Sequence, residues 1–278
     1  MSHLHLDKIF NVSGLVVLVT GGGTGIGLMM AKGLASNGAK VYIGGRRKDV
    51  VEKAAAEHGS KISGELVPAG RVGATSKFLS DPNAPECSDT ETLGKALFYN
   101  ESFEGWSTAF SVNVSSVFFV STAFLGLLEN ASKAREAETG GWSSSIINIT
   151  SGCGQAKLAQ RHFAYNASKA AGIHLTKMLS TELALRSIPV RVNSIVPGAF
   201  PSEMTGSEAS VSAQGSTLTV AQVERIAQGI TQVPSARGGL EKDIVGIVLY
   251  LVSPASYYVN GQALAVDGGF LAVNPAVV

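Results

Sequence analysis

The sequence has only two cysteines in 278 residues, too few for a disulfide framework and in keeping with a reducing compartment. Cys87 and Cys153 read as inert thiols, with a single bridge between them as the alternative. Charge is also scarce. Only 15% of residues are charged, and 22 basic side chains against 21 acidic ones leave a net charge of +1. No Lys/Arg run is longer than Arg46-Arg47-Lys48. The electrostatic footprint that nucleic acid or an anionic membrane requires is therefore absent, and neither is expected as a partner. Uninterrupted apolar stretches fall short of the roughly 18 residues a membrane span needs. Met1 to Asp7 has no basic segment leading into an apolar one, so no secretory signal is predicted and a cytoplasmic location is expected. A charged fraction below the ~25% usual for soluble domains leaves apolar surface to be covered. A homo-oligomer, dimer or tetramer, is the expectation.

The chain does have core-forming material, at 45% hydrophobic. Intrinsic disorder is excluded, and one domain over residues 1–278 suits the length, because single α/β domains of about 250 residues are routine. Leu15 to Val19 is an apolar run that predicts a strand buried on both faces. A glycine-rich turn follows, then apolar residues at helical spacing (Ile26, Met29, Met30, Leu34) up to the stop at Asn37-Gly38. Val41 to Ile43 is the next strand. Parallel strands joined by a helix need a right-handed crossover.

The alternation continues. Ser102 to Asn130 is predicted largely helical, Ile146 to Ile149 a strand, Phe163 to Arg186 a long helix and Val190 to Val196 a strand. Asp243 to Val252 gives another helix and Ala263 to Val266 a last strand. Such alternation predicts a doubly wound parallel sheet of the Rossmann type. Arg71 to Thr92 and Thr205 to Thr219 have loop composition, the second a candidate lid.

Thr20-Gly21-Gly22-Gly23-Thr24-Gly25-Ile26-Gly27 joins the first strand to its helix. Glycines let the chain turn tightly and bring backbone N–H groups to a pyrophosphate, which the positive end of the helix also favours. A chance flexible turn is the alternative, but strand before and helix after satisfy the context the motif demands. At the end of the second strand an acidic residue would hold the ribose hydroxyl of NAD; the sequence there reads Gly44-Gly45-Arg46-Arg47. Arg46 can instead pair with the 2′-phosphate of NADP, so NADP(H) is the expected cofactor. Arg47 reads as a solvated charge at a helix start.

Ser151 stands just past the Ile146 to Ile149 strand, and Tyr165 and Lys169, four residues apart, share one helix face. A phenol titrating near 10 exchanges protons poorly at neutrality, and a neighbouring ammonium is expected to lower that value. Tyr165 can then trade a proton with a substrate alcohol or carbonyl while Ser151 hydrogen-bonds the same oxygen. An ordinary helix-surface pair is the bland alternative. Asn113, inside the apolar run Val112-Asn113-Val114, is either a satisfied core amide or the anchor of a water relay behind Lys169.

The order of these motifs, closing with Pro197-Gly198, resembles the classical short-chain dehydrogenase/reductases from about Leu15 to Gly269. Asn193 to Thr205 looks particularly like the rhamnolipid-type β-ketoacyl reductase branch and related fungal reductases. The resemblance implies that Ser151 orients the substrate oxygen and that Tyr165 is the general acid/base. It also implies that Lys169 binds the nicotinamide ribose and tunes Tyr165, and that Asn113 completes a tetrad. Gly21, Gly23, Thr24, Gly25, Ile26 and Arg46 would hold the cofactor's adenosine and pyrophosphate. Pro197, Gly198 and Ser202 would line the nicotinamide. The substrate would be a small, largely apolar ketone or the matching secondary alcohol, past a wall formed by Ala199-Phe200-Pro201. The helices around Asn113 and Tyr165 would pair across a dimer axis.

Two departures from the family pattern stand out. The interval from Ser151 to Tyr165 is one residue longer than the commonest spacing. Between the second strand and the Asn113 helix only Lys61 to Gly70 bridges a region that in the family holds an acidic residue near the adenine, a crossover helix and a strand ending Asn-Asn-Ala-Gly. Either Gly64 to Val67 fills the slot beside the first strand and the third strand is lost, or a segment is missing. A silent paralogue, a binding or scaffold protein without a competent cleft, is the rival reading that this shortening supports.

Overall fold

β1 (Val16–Thr20) and β2 (Lys40–Gly44) pair in parallel, Val16 opposite Lys40 and Thr20 opposite Gly44. This is a computed structural model, and it describes residues 4–58, 61–62, 73–139, 141–202 and 233–277. A short helix α1 (Leu6–Ile9) precedes β1, and α2 (Gly25–Ser36) makes the crossover from β1 to β2. α2 ends where Asn37 and Gly38 donate back to the carbonyls of Leu34 and Ala35 at 3.1 and 3.0 Å. α3 (Lys48–His58) leads to β3, the two residues Lys61–Ile62, which pair with Tyr42 and Ile43 of β2.

Beyond residue 73 come two 3₁₀ turns, Lys77–Ser80 and Pro85–Cys87, then α4 (Thr90–Asn100) and α5 (Phe103–Phe110). Arg71 to Thr92 was expected as loop, and α4 was not foreseen. Its start is a cap: the Asp89 carboxylate accepts the Thr92 N–H at 2.9 Å. A π-helical turn, Ser111–Ser115, continues α5 into α6 (Ser116–Ala123), and α7 (Leu125–Thr139) follows a bend at Phe124. No single helix among the described residues is long and apolar enough to cross a membrane. The one pair that reaches that apolarity together is bent by 51°.

β4 (Ser144–Ile149), α8 (Phe163–Leu185), β5 (Val190–Pro197), α9 (Glu241–Val252), β6 (Ala263–Val266) and α10 (Phe270–Val273) complete the order. The second ladder runs β4-β5-β6, all parallel, with Ser144 opposite Val190 and Ser194 opposite Ala263. β5 is central, and every one of its residues is buried.

The described strands thus form two three-stranded parallel ladders. One hydrophobic cluster joins them, drawing Val19, Leu34 and Ile43 from the first half and Trp142, Ile195, Ile244 and Leu251 from the second. The α/β architecture is as expected. Two details differ. The third strand is not lost: Lys61–Ile62 takes the place beside β2. β1 is not buried on both faces, because Val16 is 71% exposed. Its hydrogen-bonded neighbour is β2, and no described strand borders its other edge. The candidate filler, Gly64 to Val67, lies outside the described residues, as does Thr205 to Thr219. Cys87 and Cys153 are both free thiols, which removes the bridge between them.

Candidate active site

At the carboxyl end of β1 the glycine turn closes on itself. Gly21 has φ +69°, and a Cβ on Gly27 would stand 2.2 Å from the Gly21 carbonyl oxygen, so the first turn of α2 presses on the loop as only glycine permits. The Thr24 side chain makes no capping bond, leaving the N-terminal N–H groups of α2 to an incoming anion. Ser202 lies against this loop: a Cβ on Gly25 would be 3.3 Å from the Ser202 Cβ. Gly21, Gly23, Thr24, Gly25 and Ser202 are therefore brought together, and the chemistry of the cradle fits a pyrophosphate. Ile26 is half-buried against the core beneath it. Arg46 is exposed just past β2, and no described residue pairs with its guanidinium.

The second cluster stands at the carboxyl end of β4. Ser151 caps the 3₁₀ turn Gly152–Gly154, its hydroxyl oxygen accepting the Cys153 N–H at 3.2 Å. Gly154 then runs against α8: a Cβ there would meet the Lys169 carbonyl carbon and the Ala170 nitrogen at 2.8 Å. This close approach sets Ser151 beside the helix that carries Tyr165 and Lys169. The Lys169 Nζ donates to the Ile149 carbonyl at 3.2 Å and lies 5.6 Å from the centroid of the Tyr165 ring.

Burial governs both titrations. Desolvation pushes the Tyr165 phenol up to about 12, opposed by the hydrogen bond of the Ser151 hydroxyl. Desolvation also takes the Lys169 amine down to about 8. The expected lowering of the phenol by the ammonium does not appear: burial first and the neighbouring Cys153 second raise it, and Tyr165 stands as a protonated acid. Asn113, in the π-helical turn, donates to the Ser168 hydroxyl at 3.0 Å, and Ser168 donates to the Tyr165 carbonyl at 2.8 Å. It is a satisfied amide one step behind the Tyr165–Lys169 pair.

Pro197 and Gly198 end β5 between the two clusters. The Gly198 N–H donates to Val266 at 3.0 Å, and the Pro197 carbonyl lies 3.6 Å from the place a Cβ on Gly152 would take. Beyond them a cavity of about 420 Å³ is lined by Ala199, Phe200, Val233, Val266 and the Arg237–Asp243 ion pair. Ala199 and Phe200 of the expected wall line this cavity and Pro201 is buried outside it, while Ser151, Tyr165 and Lys169 are not among its lining residues.

Cys153, read from sequence as inert, touches the Ser151–Tyr165–Lys169 cluster. Its thiol donates to the Gln160 Oε1 at 3.1 Å and is pushed up by burial. Position alone was the available signal, two residues after Ser151.

Comparison with known proteins identifies the family. A family model described as short chain dehydrogenase matches residues 15–70, and one described as Enoyl-(Acyl carrier protein) reductase matches residues 90–271. The chain is 36% identical to the short-chain dehydrogenase/reductase PhomF of Diaporthe leptostromiformis, with 96% of this chain and 95% of the relative covered. That alignment runs over 293 positions, more than the 278 residues here, so the relative carries residues that this chain lacks. The rhamnolipids biosynthesis 3-oxoacyl-[acyl-carrier-protein] reductase of Pseudomonas aeruginosa is 29% identical over 95% of this chain and 99% of that one. Among solved structures, a Pseudomonas aeruginosa RhlG/NADP active-site complex superposes with a TM-score of 0.69 at 27% identity, covering 94% of this chain and 98% of that one. A putative 2-deoxy-D-gluconate 3-dehydrogenase from Agrobacterium tumefaciens with bound NADP gives 0.65 at 27% identity, covering 95% and 99%. With the glycine cradle, the Ser151–Tyr165–Lys169 cluster and these relatives together, the chain belongs to the short-chain dehydrogenase/reductase family.

Proposed function

We propose that the chain is one dinucleotide-binding domain that works as an NADP(H)-dependent ketoreductase on a small, largely apolar ketone, or oxidises the matching secondary alcohol. The observation that carries this reading is the meeting of the Ser151 hydroxyl, the Tyr165 phenol and the Lys169 amine at the carboxyl end of β4. A silent protein has no physical need to bury a lysine and a phenol side by side.

Gly21, Gly23, Thr24, Gly25, Ile26 and the start of α2 would hold the pyrophosphate, and Arg46 the 2′-phosphate. Pro197 and Gly198 would border the nicotinamide, and Ser202, against Gly25, would touch the cofactor beside the pyrophosphate. When bound, the reduced cofactor supplies the hydride that goes to the carbonyl carbon. Ser151 donates to the carbonyl oxygen and fixes its position. Tyr165, a protonated acid, gives its proton to that oxygen, which becomes the alcohol. Lys169 stabilises the phenolate left behind, and Asn113 holds the helix through Ser168. NADP-bound neighbours of similar fold support the cofactor.

Phe119, Leu127, Met178 and Leu185 are exposed on α6, α7 and α8, and we assign this apolar surface to a second copy of the chain. Sedimentation of the purified protein should show a dimer or tetramer. A monomer at micromolar concentration would remove this assignment.

Tyr165→Phe tests the function itself. Ketone reduction should fall by about 10² or more while NADPH binding persists; turnover within twofold of the unmodified chain would take Tyr165 out of the reaction.

A further inference from the structure

The segment Gln155 to His162 joins the Ser151 turn to the start of α8, which carries Tyr165. Its inner side reaches the catalytic cluster through the Cys153–Gln160 hydrogen bond. Its backbone is strained: Gln160 and Arg161 have φ of +47° and +68°, a region that side chains larger than glycine enter at a cost. Such a conformation persists only where surrounding contacts over-determine it.

Those contacts come from three directions. From α8, the Asn166 amide donates to the carbonyls of Leu158 and Ala159 at 3.2 and 2.8 Å. From the buried Ser76, a backbone N–H donates to the Arg161 carbonyl at 2.9 Å, and Thr75 reaches the His162 ring at 3.3 Å. The third direction is the far end of the chain. Lys157 N–H donates to the Pro275 carbonyl at 2.8 Å, and Val277 N–H donates to the Gln155 carbonyl at 2.7 Å, closing an antiparallel bridge between Ala156 and Ala276. The strap is rooted at the same site. Asp267 accepts from the N–H groups of Gly269 and Leu271 at 2.9 and 2.8 Å, and the buried Phe270 ring packs over Gly152.

The first two clamps hold residues 158–162; the N–H groups of Gln155 and Ala156 go to the Gly152 carbonyl, and Pro275 to Val277 take the Gln155 carbonyl and the Lys157 N–H. Resting on the ketoreductase reading above, we propose that Pro275–Val277 is a specificity-determining strap. By pairing with Gln155 and Lys157 it sets where the wall between Ser151 and Tyr165 stands, and so how large a ketone the site accepts. Among the described residues, the strap's hydrogen bonds go to Gln155 and Lys157, not to Tyr165 or the glycine cradle, so its loss should change substrate choice and leave proton transfer and cofactor binding in place.

Val277→Pro removes the N–H that Gln155 accepts while altering only an exposed side chain. A chain ending at Asn274 removes the strap altogether and serves if the proline variant misfolds. Three readouts belong together: amide exchange across 155–162, NADPH affinity by nucleotide fluorescence, and kcat and KM over aliphatic ketones of increasing size. Exchange should rise at Lys157, NADPH affinity should stay within twofold, and the kcat/KM ratio of large to small ketones should shift about tenfold, mainly through KM. Unchanged exchange at Lys157 would overturn the strap itself, and raised exchange with an unchanged ketone ratio would overturn its role in specificity. An unmodified chain that reduces no ketone would overturn the catalytic reading, and the exchange result would still report on the strap.

Discussion

The Lys169 amine is 5.6 Å from the centroid of the Tyr165 ring, and its donated hydrogen bond goes to the Ile149 carbonyl at 3.2 Å. Burial holds the phenol protonated and brings the lysine down to about 8. The pair is therefore set to give a proton, which is the need of carbonyl reduction, and the ammonium matters once the phenol has given it up.

The sign of the pH dependence follows. Lys169 carries its charge below about 8 and loses it above, so ketone reduction should fall as pH rises through that value. Tyr165, held near 12, adds no limb of its own over the working range. Lys169→Arg keeps a charge throughout and should lose the alkaline limb. Lys169→Met should cut the rate by about 10² and also raise stability by about 1–3 kcal/mol, since a buried ammonium is costly. A pH–rate profile and thermal melts check both. An alkaline limb retained in Lys169→Arg would assign it to another group.

Arg191 offers a stability test away from the chemistry. It is 5% exposed on β5, and its guanidinium donates to the Ser143 and Ser256 hydroxyls and to the carbonyls of Ser256 and Leu251 at 3.0 to 3.1 Å. Arg191→Leu leaves the Ser143 hydroxyl and the Leu251 carbonyl without the guanidinium, while the Ser256 carbonyl keeps the Val259 N–H, and should cost about 1–3 kcal/mol. Denaturant unfolding would show it as a lowered midpoint; a loss under 1 kcal/mol would mean that water replaces the guanidinium.

In the proposed reading, Arg46 sets the preference for NADP(H) over NAD(H). Arg46→Ala should weaken NADPH binding about tenfold to a hundredfold and leave NADH unchanged, because only the former carries the 2′-phosphate. Equal losses for both nucleotides would place Arg46 outside the phosphate site.

Much of this was legible in the sequence because it is local. The glycine spacing after Val19, the Tyr165–Lys169 interval and the apolar periodicities of α2, α8 and α9 each depend on a few consecutive residues. What was missed depends on distant ones. β3 is two residues long, and Lys61–Ile62 become a strand only because β2 offers an edge. α4 hides behind Pro82 and Pro85, with Asp89 as its one local signal. The phenol's upward shift comes from burial by the fold around it, which no spacing reveals. The bridge from Ala156 to Ala276 joins segments 120 residues apart.

The most direct test of the central claim is a titration of the purified chain with NADPH, followed by nucleotide fluorescence. The cradle at Gly21–Gly27 requires saturable binding in the micromolar range, with a stoichiometry of one per chain. Fluorescence that rises linearly to millimolar nucleotide, with no saturation, would contradict it.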